Sequence, residues 1–363
     1  MIMLNSLGIR NYRNLKELTI NSLGRVNLVT GKNNTGKSTL LEAIAIYATK
    51  GDLSLIYQLL EERGESFNAN TQNSVQTIVK TLSSMFTNRI AGFDTADAIS
   101  IGNPKDIVSL KFVKFIFETH KDEVGIKSIT RKFLQNDTEI QDYKIGFEIK
   151  SNNGLYALPL DYETKFGFGH NPHSVNKSVQ YIRTRNVTRD INGNLFDSIA
   201  LTDKEQYVID ALKIIEPLTE RIAFIDENSN GRSAVIKLSN SQQILPLQSM
   251  GDGINRILTI ILAMVNSDNG YLLIDEFENG LHYTVQEKLW EIIFLLSKRL
   301  NIQVFATTHS EDCINGFQRV LNNSDDLLAG KLVRLDNKNG VIKQVEFDAN
   351  ELKIANSQNI EIR

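Results

Sequence analysis

Apolar positions change their period twice along this chain, and the changes divide it. Leu4, Leu7 and Ile9, then Leu18 and Ile20, flank the polar stretch NYRN and predict short strands. Val26 to Val29 predicts another, mostly apolar strand that ends at Gly31, and Leu40, Leu41, Ile44 and Tyr47 predict a helix from Lys37 with one buried face. Helical spacing continues over Leu53 to Arg63 and through Val75, Ile78, Val79, Leu82 and Met85. Then Val108, Leu110 and Phe112, and later Ile145, Phe147 and Ile149, alternate with period two, so residues 106–184 read as an antiparallel meander.

Helical spacing returns after Thr202, where Thr-x-x-Glu forms a capping box ahead of Val208, Ile209, Leu212 and Ile215, up to Pro217. The last third alternates: a helix from about Gly253, a strand Tyr271 to Ile274, a helix from about Tyr283 and a strand Ile302 to Ala306. That order predicts an α/β core with parallel strands. Asn339-Gly340 then joins Leu332–Leu335 to Val341–Phe347 as a closing hairpin. The division expected is one domain over 1–363. Residues 1–50 and 240–320 supply its core, 51–184 a helical and strand-rich insertion, 185–239 a helical lobe, and 321–363 a C-terminal hairpin and tail.

Composition adds limits. With 363 residues and 41% hydrophobic content the chain has enough apolar material for a buried core. It has no apolar run of about 18 residues, and its first residues lack a signal-peptide pattern. The expected location is therefore cytoplasmic, with no membrane. A net charge of -3 excludes attraction of the whole surface to nucleic acid and leaves only local patches. Cys313 is the single cysteine, so no internal disulfide exists, and it is expected to be a buried apolar side chain.

The chemistry is concentrated in four short segments. In GKNNTGKS, from Gly31 to Ser38, glycines let backbone N–H groups along Asn33, Asn34, Thr35 and Gly36 curl around phosphates. Lys37 reaches the terminal phosphates of ATP and Ser38 offers its hydroxyl to Mg²⁺. Tyr271 to Ile274 delivers two acids at a strand end, Asp275 for the Mg²⁺ shell and Glu276 to polarise the attacking water. Glu278 reads as a solvated turn or helix-start charge. His309, in TTHS after the next strand, is placed to sense the γ-phosphate. Ser249, Gly251 and Gly253 precede a helix and form a second anion site that their own phosphate loop does not need. A second copy of the chain would use it. His120, His170 and His173 show no metal-ligand spacing and are assigned to the surface, as is the adjacent pair Asp325-Asp326.

Taken together, GIRNYRNL, GKNNTGKS, SMGDG, LLIDE and TTHS resemble an ATP-binding-cassette ATPase of the SMC, RecF and OLD type. More closely, the chain resembles the bacterial AAA-family ATPases found as subunits of anti-phage defence systems. The resemblance covers nearly the whole chain. It implies a P-loop NTPase fold of the ABC/SMC-head type, with a mixed sheet core, an antiparallel meander and a small helical lobe. It makes Gly31 to Thr39 the Walker A loop, Asp275 and Glu276 the Walker B pair, His309 the switch histidine and Arg13 a nucleotide contact. The Ser249 segment becomes the signature that completes the ATP site of the opposite protomer in a head-to-tail homodimer. Gln248-Ser249-Met250-Gly251-Asp252 departs from the common LSGGQ, and His282 stands where many cassettes carry an aspartate. The strand Val179 to Arg185 is where a Q-loop would lie.

Three functions share this engine. The leading expectation is an ATP-hydrolysing switch that acts on DNA or on a separate effector or nuclease subunit, in anti-phage defence. A repair ATPase acting directly on DNA through Lys177, Arg183, Arg185 and Arg189 is the alternative, and the nucleotide-binding subunit of a transporter is the third.

Overall fold

Strand β3 (Val26–Thr30) is buried at every position, and a strand with no polar face has to lie inside a sheet covered on both sides. The computed structural model places it there, and describes residues 3–65, 74–121, 127–134, 142–160, 178–183, 189–226, 232–251, 253–324, 329–358 and 362. Before it come β1 (Leu7–Tyr12) and β2 (Leu15–Ile20); after it comes α1 (Lys37–Ala48). Next are α2 (Leu53–Glu62), α3 (Val75–Ser83), β4 (Ile99–Asn103), β5 (Asp106–Lys121), β6 (Lys127–Phe133), β7 (Lys144–Ser151), β8 (Gly154–Pro159) and β9 (Val179–Ile182). Helices α4 (Arg189–Asp197) and α5 (Asp203–Ile215) lead to β10 (Thr219–Asp226), β11 (Arg232–Leu238) and β12 (Ile244–Pro246). The remainder runs α6 (Gly253–Asn266), β13 (Tyr271–Ile274), α7 (Tyr283–Arg299), β14 (Gln303–Thr307), α8 (Glu311–Asn322), β15 (Gly330–Lys338), β16 (Val341–Phe347) and α9 (Ala349–Ser357).

The core sheet has six strands in the order β16-β15-β3-β14-β13-β9. All neighbours are parallel except the β15–β16 hairpin. One face carries Val26, Leu28, Leu272, Ile274, Val304 and Ala306, packed with α6, α7 and α8; the other carries Val29, Leu273, Phe305 and Val333, packed on α1. A second, antiparallel sheet in the order β2-β1-β4-β5-β7-β8, with β6 on β5, closes over α1 from outside. Being enclosed by two sheets, α1 is buried on nearly every side, not on one face as its spacing predicts. Buried Gln303 fastens the N-terminal segment to this core: its amide donates to the carbonyls of Leu4 and Gly24, each at 2.8 Å, and accepts from Leu4 N at 2.9 Å.

Two expectations need correction. The meander does not extend to residue 184, because Val179–Ile182 leaves it and pairs in parallel with Tyr271–Ile274. Four residues are too few to reveal a parallel core strand by periodicity. The lobe expected over 185–239 is helical only in α4 and α5; β10, β11 and β12 form a three-stranded antiparallel sheet behind them. Ile222 and Phe224 alternate there with exposed Arg221 and Ala223, and Phe224 packs on Phe196 of α4 at 5.1 Å between ring centroids. No helix among the described residues is long and apolar enough to cross a membrane.

Candidate functional site

The carboxyl ends of β3, β13 and β14 meet at one cavity of about 790 Å³, the position where open parallel sheets bind ligands. Its walls include Arg13, Asn33, Asn34, Thr35, Gly36, Lys37, Ser38, Thr39, Asp275, Glu276 and His309. All of these are residues that the sequence singles out. Ser249, Gly251 and Gly253 are not among its lining residues.

The loop from β3 to α1 takes its shape from its glycines. Gly31 has φ 141°, and a Cβ there would lie 2.3 Å from the carbonyl oxygen of Leu335, so no other residue fits without moving β15. Asn34 at φ 61° and Gly36 at φ 88° turn the chain into α1. Side chains cap the N-termini of α2, α3, α5, α7 and α8, whereas α1 begins at Gly36 with no side-chain cap. Its first N–H groups thus face the cavity with the positive end of the helix dipole, which suits a phosphate.

Lys37 is buried beneath this loop and donates to the carbonyls of Gly31 at 2.7 Å and Lys32 at 2.9 Å. Burial lowers its ammonium to about 8, against the pull of Asp275, Glu278 and Glu276. A phosphate binds the charged form, so nucleotide affinity is expected to be flat below pH 7 and to weaken about tenfold by pH 9. Calorimetry at pH 8.5 in two buffers of different ionisation enthalpy should detect proton uptake on binding, and Lys37→Arg should abolish it. Equal heats in both buffers would remove Lys37 as the titrating group.

Asp275 Oδ1 accepts hydrogen bonds from Ser38 Oγ at 3.2 Å and Thr307 Oγ1 at 2.6 Å. Hydroxyl and carboxylate oxygens converging beside a phosphate site are the hard donors that Mg²⁺ takes, with phosphate and water completing its shell. Ser38 and Asp275 fit that role, and bound Mg²⁺ would neutralise charge on the terminal phosphates. Among the described residues no group of three His, Cys, Asp or Glu could hold a metal ion.

Glu276 sits at φ 50°, a left-handed conformation that costs a non-glycine residue about 1–2 kcal/mol. The surrounding structure enforces it. Its N–H donates to Thr307 Oγ1 at 2.9 Å, and its carbonyl accepts from Asn279 N at 3.0 Å. Buried Arg256 of α6 donates to the carbonyls of Asp275 at 3.1 Å and Glu276 at 3.4 Å. Arg256 thereby joins the helix that follows the Ser249 segment to the acidic strand end.

Glu278 is not the solvated charge that its turn position suggests. Its carboxylate accepts from Thr308 Oγ1 at 2.8 Å and from His309 N at 2.7 Å. Proximity in sequence gives no hint of this pairing, which depends on β13 and β14 being neighbours.

Arg13 enters from the turn between β1 and β2, held at φ 50° with its N–H on Met85 O at 2.8 Å. Its guanidinium pairs with Glu42 at 3.1 Å and Glu65 at 2.7 Å; Arg63 also pairs with Glu42, and Arg89 with Glu65. Burial opposes the charge on Arg13, yet Tyr12 and these carboxylates hold it above the usual arginine range. The same network keeps Glu65 below the ordinary carboxylate value: burial would raise it, but Arg13, Ser84 and Arg89 prevail. Arg63, Glu65, Ser84, Asn88 and Arg89 all line the cavity. No motif spacing marks them in the sequence.

The Ser249 segment is built differently. It forms a 3-10 turn over Leu247–Met250, with Ser249 Oγ donating to Pro246 O at 2.7 Å. Gly251 follows at φ 110° with open space around it, and Gly253 starts α6 close to Gly280 O. His282, at the aspartate position, caps α7 and shares a 2.9 Å hydrogen bond with Thr284. Of the basic residues considered for DNA, Arg183 turns inward to pair with Glu62 and stack 4.2 Å over Tyr181. Lys177, Arg185 and the side chain of Arg189 lie outside the described residues, as do His170, His173 and Asp325-Asp326. His120 is exposed and Cys313 is buried.

A phosphate loop, an acidic strand end and a following Thr-Thr-His loop around one cavity, on a parallel sheet covered by an antiparallel one, define a phosphate-loop ATPase of the SMC-head type. Two solved structures share the fold. A SmcHead bound to the C-winged helix domain of ScpA aligns at a TM-score of 0.50 and 12% identity, covering 96% of this chain and 98% of that one. An Smc head domain with an extended coiled coil, bound to the C-terminal domain of ScpA and derived from Pyrococcus furiosus, aligns at 0.50 and 11% identity, covering 99% and 100%. Residues 26–312 match the family described as AAA domain, putative AbiEii toxin, Type IV TA system, and the chain belongs to that family. A relative from Helicobacter pylori, called ATP/GTP phosphatase, is 26% identical over 351 residues, covering 89% of this chain and 90% of its own. An uncharacterised Methanocaldococcus jannaschii protein, MJECL11, is 32% identical over 116 residues, 31% of this chain and 99% of its own.

Proposed function

We propose that this ATPase is a switch in which two copies close head to tail around two ATP molecules, and hydrolysis reopens them. The carrying observation is the division of the phosphate-binding elements. Asn33 to Thr39, Asp275, Glu276 and His309 share one cavity, and Ser249, Gly251 and Gly253, which we read as a second anion site, are not among its lining residues. In a head-to-tail pair each Ser249 segment would meet the ATP of the other copy.

In this reading Glu276 accepts a proton from the attacking water, whose oxygen bonds to the γ-phosphorus as the bond to the β,γ-bridging oxygen breaks. ADP and phosphate are the products. Lys37 and His309 stabilise charge on the transferring phosphoryl group, and Arg13 supports the nucleotide from the opposite wall. ATP is the substrate we favour, with Mg²⁺ held by Ser38 and Asp275. The change of state would be passed to DNA or to a separate effector or nuclease subunit. Defence against phage is the setting we favour, in keeping with the type IV toxin–antitoxin description of the family. The inward pairing of Arg183 counts against direct DNA binding through that segment.

Sedimentation of the full chain with and without a non-hydrolysable ATP analogue and Mg²⁺ tests the switch. The expected result is a doubling of mass with nucleotide. An unchanged mass at saturating nucleotide would sink the head-to-tail reading.

A further inference from the structure

We propose that Glu278 is a positioning residue for ATP hydrolysis, holding the His309 loop at the distance from which it reads the γ-phosphate. The inference rests on the reading of His309 as a phosphate contact. The geometry singles out Glu278 because each of its carboxylate oxygens takes a different donor of that loop, Thr308 Oγ1 at 2.8 Å and His309 N at 2.7 Å. Thr308 Oγ1 also accepts from Ser310 N at 3.0 Å, and Thr308 N donates to Val29 O at 3.0 Å. The backbone on either side of His309 is thus fixed, and the charged acceptor is the only side chain from β13's end that does the fixing among these bonds.

The support beneath Glu278 is rigid. Phe277 N donates to Thr307 O at 2.8 Å, and the Phe277 ring stacks on Trp290 at 4.1 Å with an interplanar angle of 5°. On the other side Leu281 N closes a turn onto Glu278 O at 3.0 Å. A carboxylate anchored at both flanks and bound to two donors leaves the imidazole of His309 little freedom except about its own side-chain torsions. Charge-assisted hydrogen bonds of this kind are stronger than neutral ones. Removing the acceptor would release the loop without deleting any side chain that lines the cavity.

The test is kinetic and uses the full chain. Glu278→Ala should lower kcat about 10- to 100-fold, the scale of a small misplacement of a reacting or sensing group. KM for ATP, measured at pH 6.5 where Lys37 stays charged, should change much less, since no residue of the phosphate loop or Arg13 is altered. Glu278→Gln should recover most of kcat: its carbonyl oxygen accepts from His309 N, and its amide can donate to Thr308, whose hydroxyl has two acceptor sites. Thr308→Val, which removes one of the two bonds, should fall between them and guards against a misfolded alanine variant. In a His309→Ala background Glu278→Ala should have almost no further effect, because the two act as one unit. Full additivity, or wild-type turnover by Glu278→Ala, would overturn the assignment of Glu278 alone. Wild-type turnover by His309→Ala would overturn it together with the phosphate-sensing role.

Discussion

Replacing Glu276 by Gln is expected to lower the turnover of ATP by roughly 100- to 1,000-fold while leaving nucleotide affinity nearly unchanged. The substitution keeps shape and removes the basic oxygen that would take the proton of water. It should also spare the architecture. The left-handed backbone at Glu276 is held by Thr307 Oγ1, Asn279 N and Arg256, none of which touches its carboxylate in those bonds. ATP itself should then act as the non-hydrolysable analogue does, and the closed dimer should persist for many turnover times. Light scattering coupled to size exclusion, with ATP and Mg²⁺, reads the mass; phosphate release under single-turnover conditions reads the chemistry. A variant that hydrolyses within threefold of the wild type would remove Glu276 from the chemical step.

The expected size of that effect follows from where strain is placed. A non-glycine residue at φ 50° persists only if its surroundings over-determine it, and here three independent hydrogen bonds do so. Two of the three partners lie on other elements: Thr307 ends the strand that leads to His309, and Arg256 lies on the helix that begins at Gly253. The acid is therefore placed by the same elements that carry the His309 loop and the Ser249 segment. Closure of a second copy onto α6 would bear on the carbonyls of Asp275 and Glu276 through a buried charge.

What could be read from the sequence was what depends on short range. Gly31 and Gly36 are needed by a loop that turns within a few residues, and the apolar runs at Val26, Tyr271 and Ile302 flag strands buried on both faces. Thr202 and Glu205 predict a helix start, and both cap it, Thr202 by accepting from Lys204 N and Glu205 by accepting from Leu201 N. What stayed hidden was set by contacts between distant segments. Arg13 meets Glu65 across 52 positions and Ser38 meets Asp275 across 237, and no spacing rule spans such gaps. Only the Walker motif pattern brought the second pair together in advance. Val179 to Arg185 reads as a strand, but four residues carry no sign that β9 pairs in parallel with β13 rather than closing the meander. The capping box at Thr202 and the helical spacing up to Ile215 mark α5 plainly, whereas the alternation in β10 and β11 is broken by exposed Ile225 and carries no comparable signal. Glu278 owes its role to the same kind of distant contact. A carboxylate in a turn is usually solvated, and only the adjacency of β13 and β14 supplies its two donors.

The division of the phosphate-binding elements has its sharpest consequence in a mixing experiment. Lys37→Ala should destroy the phosphate-loop half of every site, and Ser249→Arg should fill the open surface beside Gly251 and destroy the half offered to a neighbour. Each variant alone should be almost inactive, since each homodimer carries two defective sites. In a mixed dimer the defects fall unequally. One site combines both lesions, while the other joins the intact loop of the Ser249→Arg chain to the intact Ser249 segment of the Lys37→Ala chain. Random pairing of equal amounts makes half the dimers mixed, each with one sound site, so about a quarter of the wild-type activity should return if sites act independently. Cooperation between sites would lower that figure without abolishing it. A mixture no more active than its components, with mixed dimers shown to form by differential tagging, would mean that Ser249 serves its own chain. Activity in unmixed Ser249→Arg would mean that it serves neither.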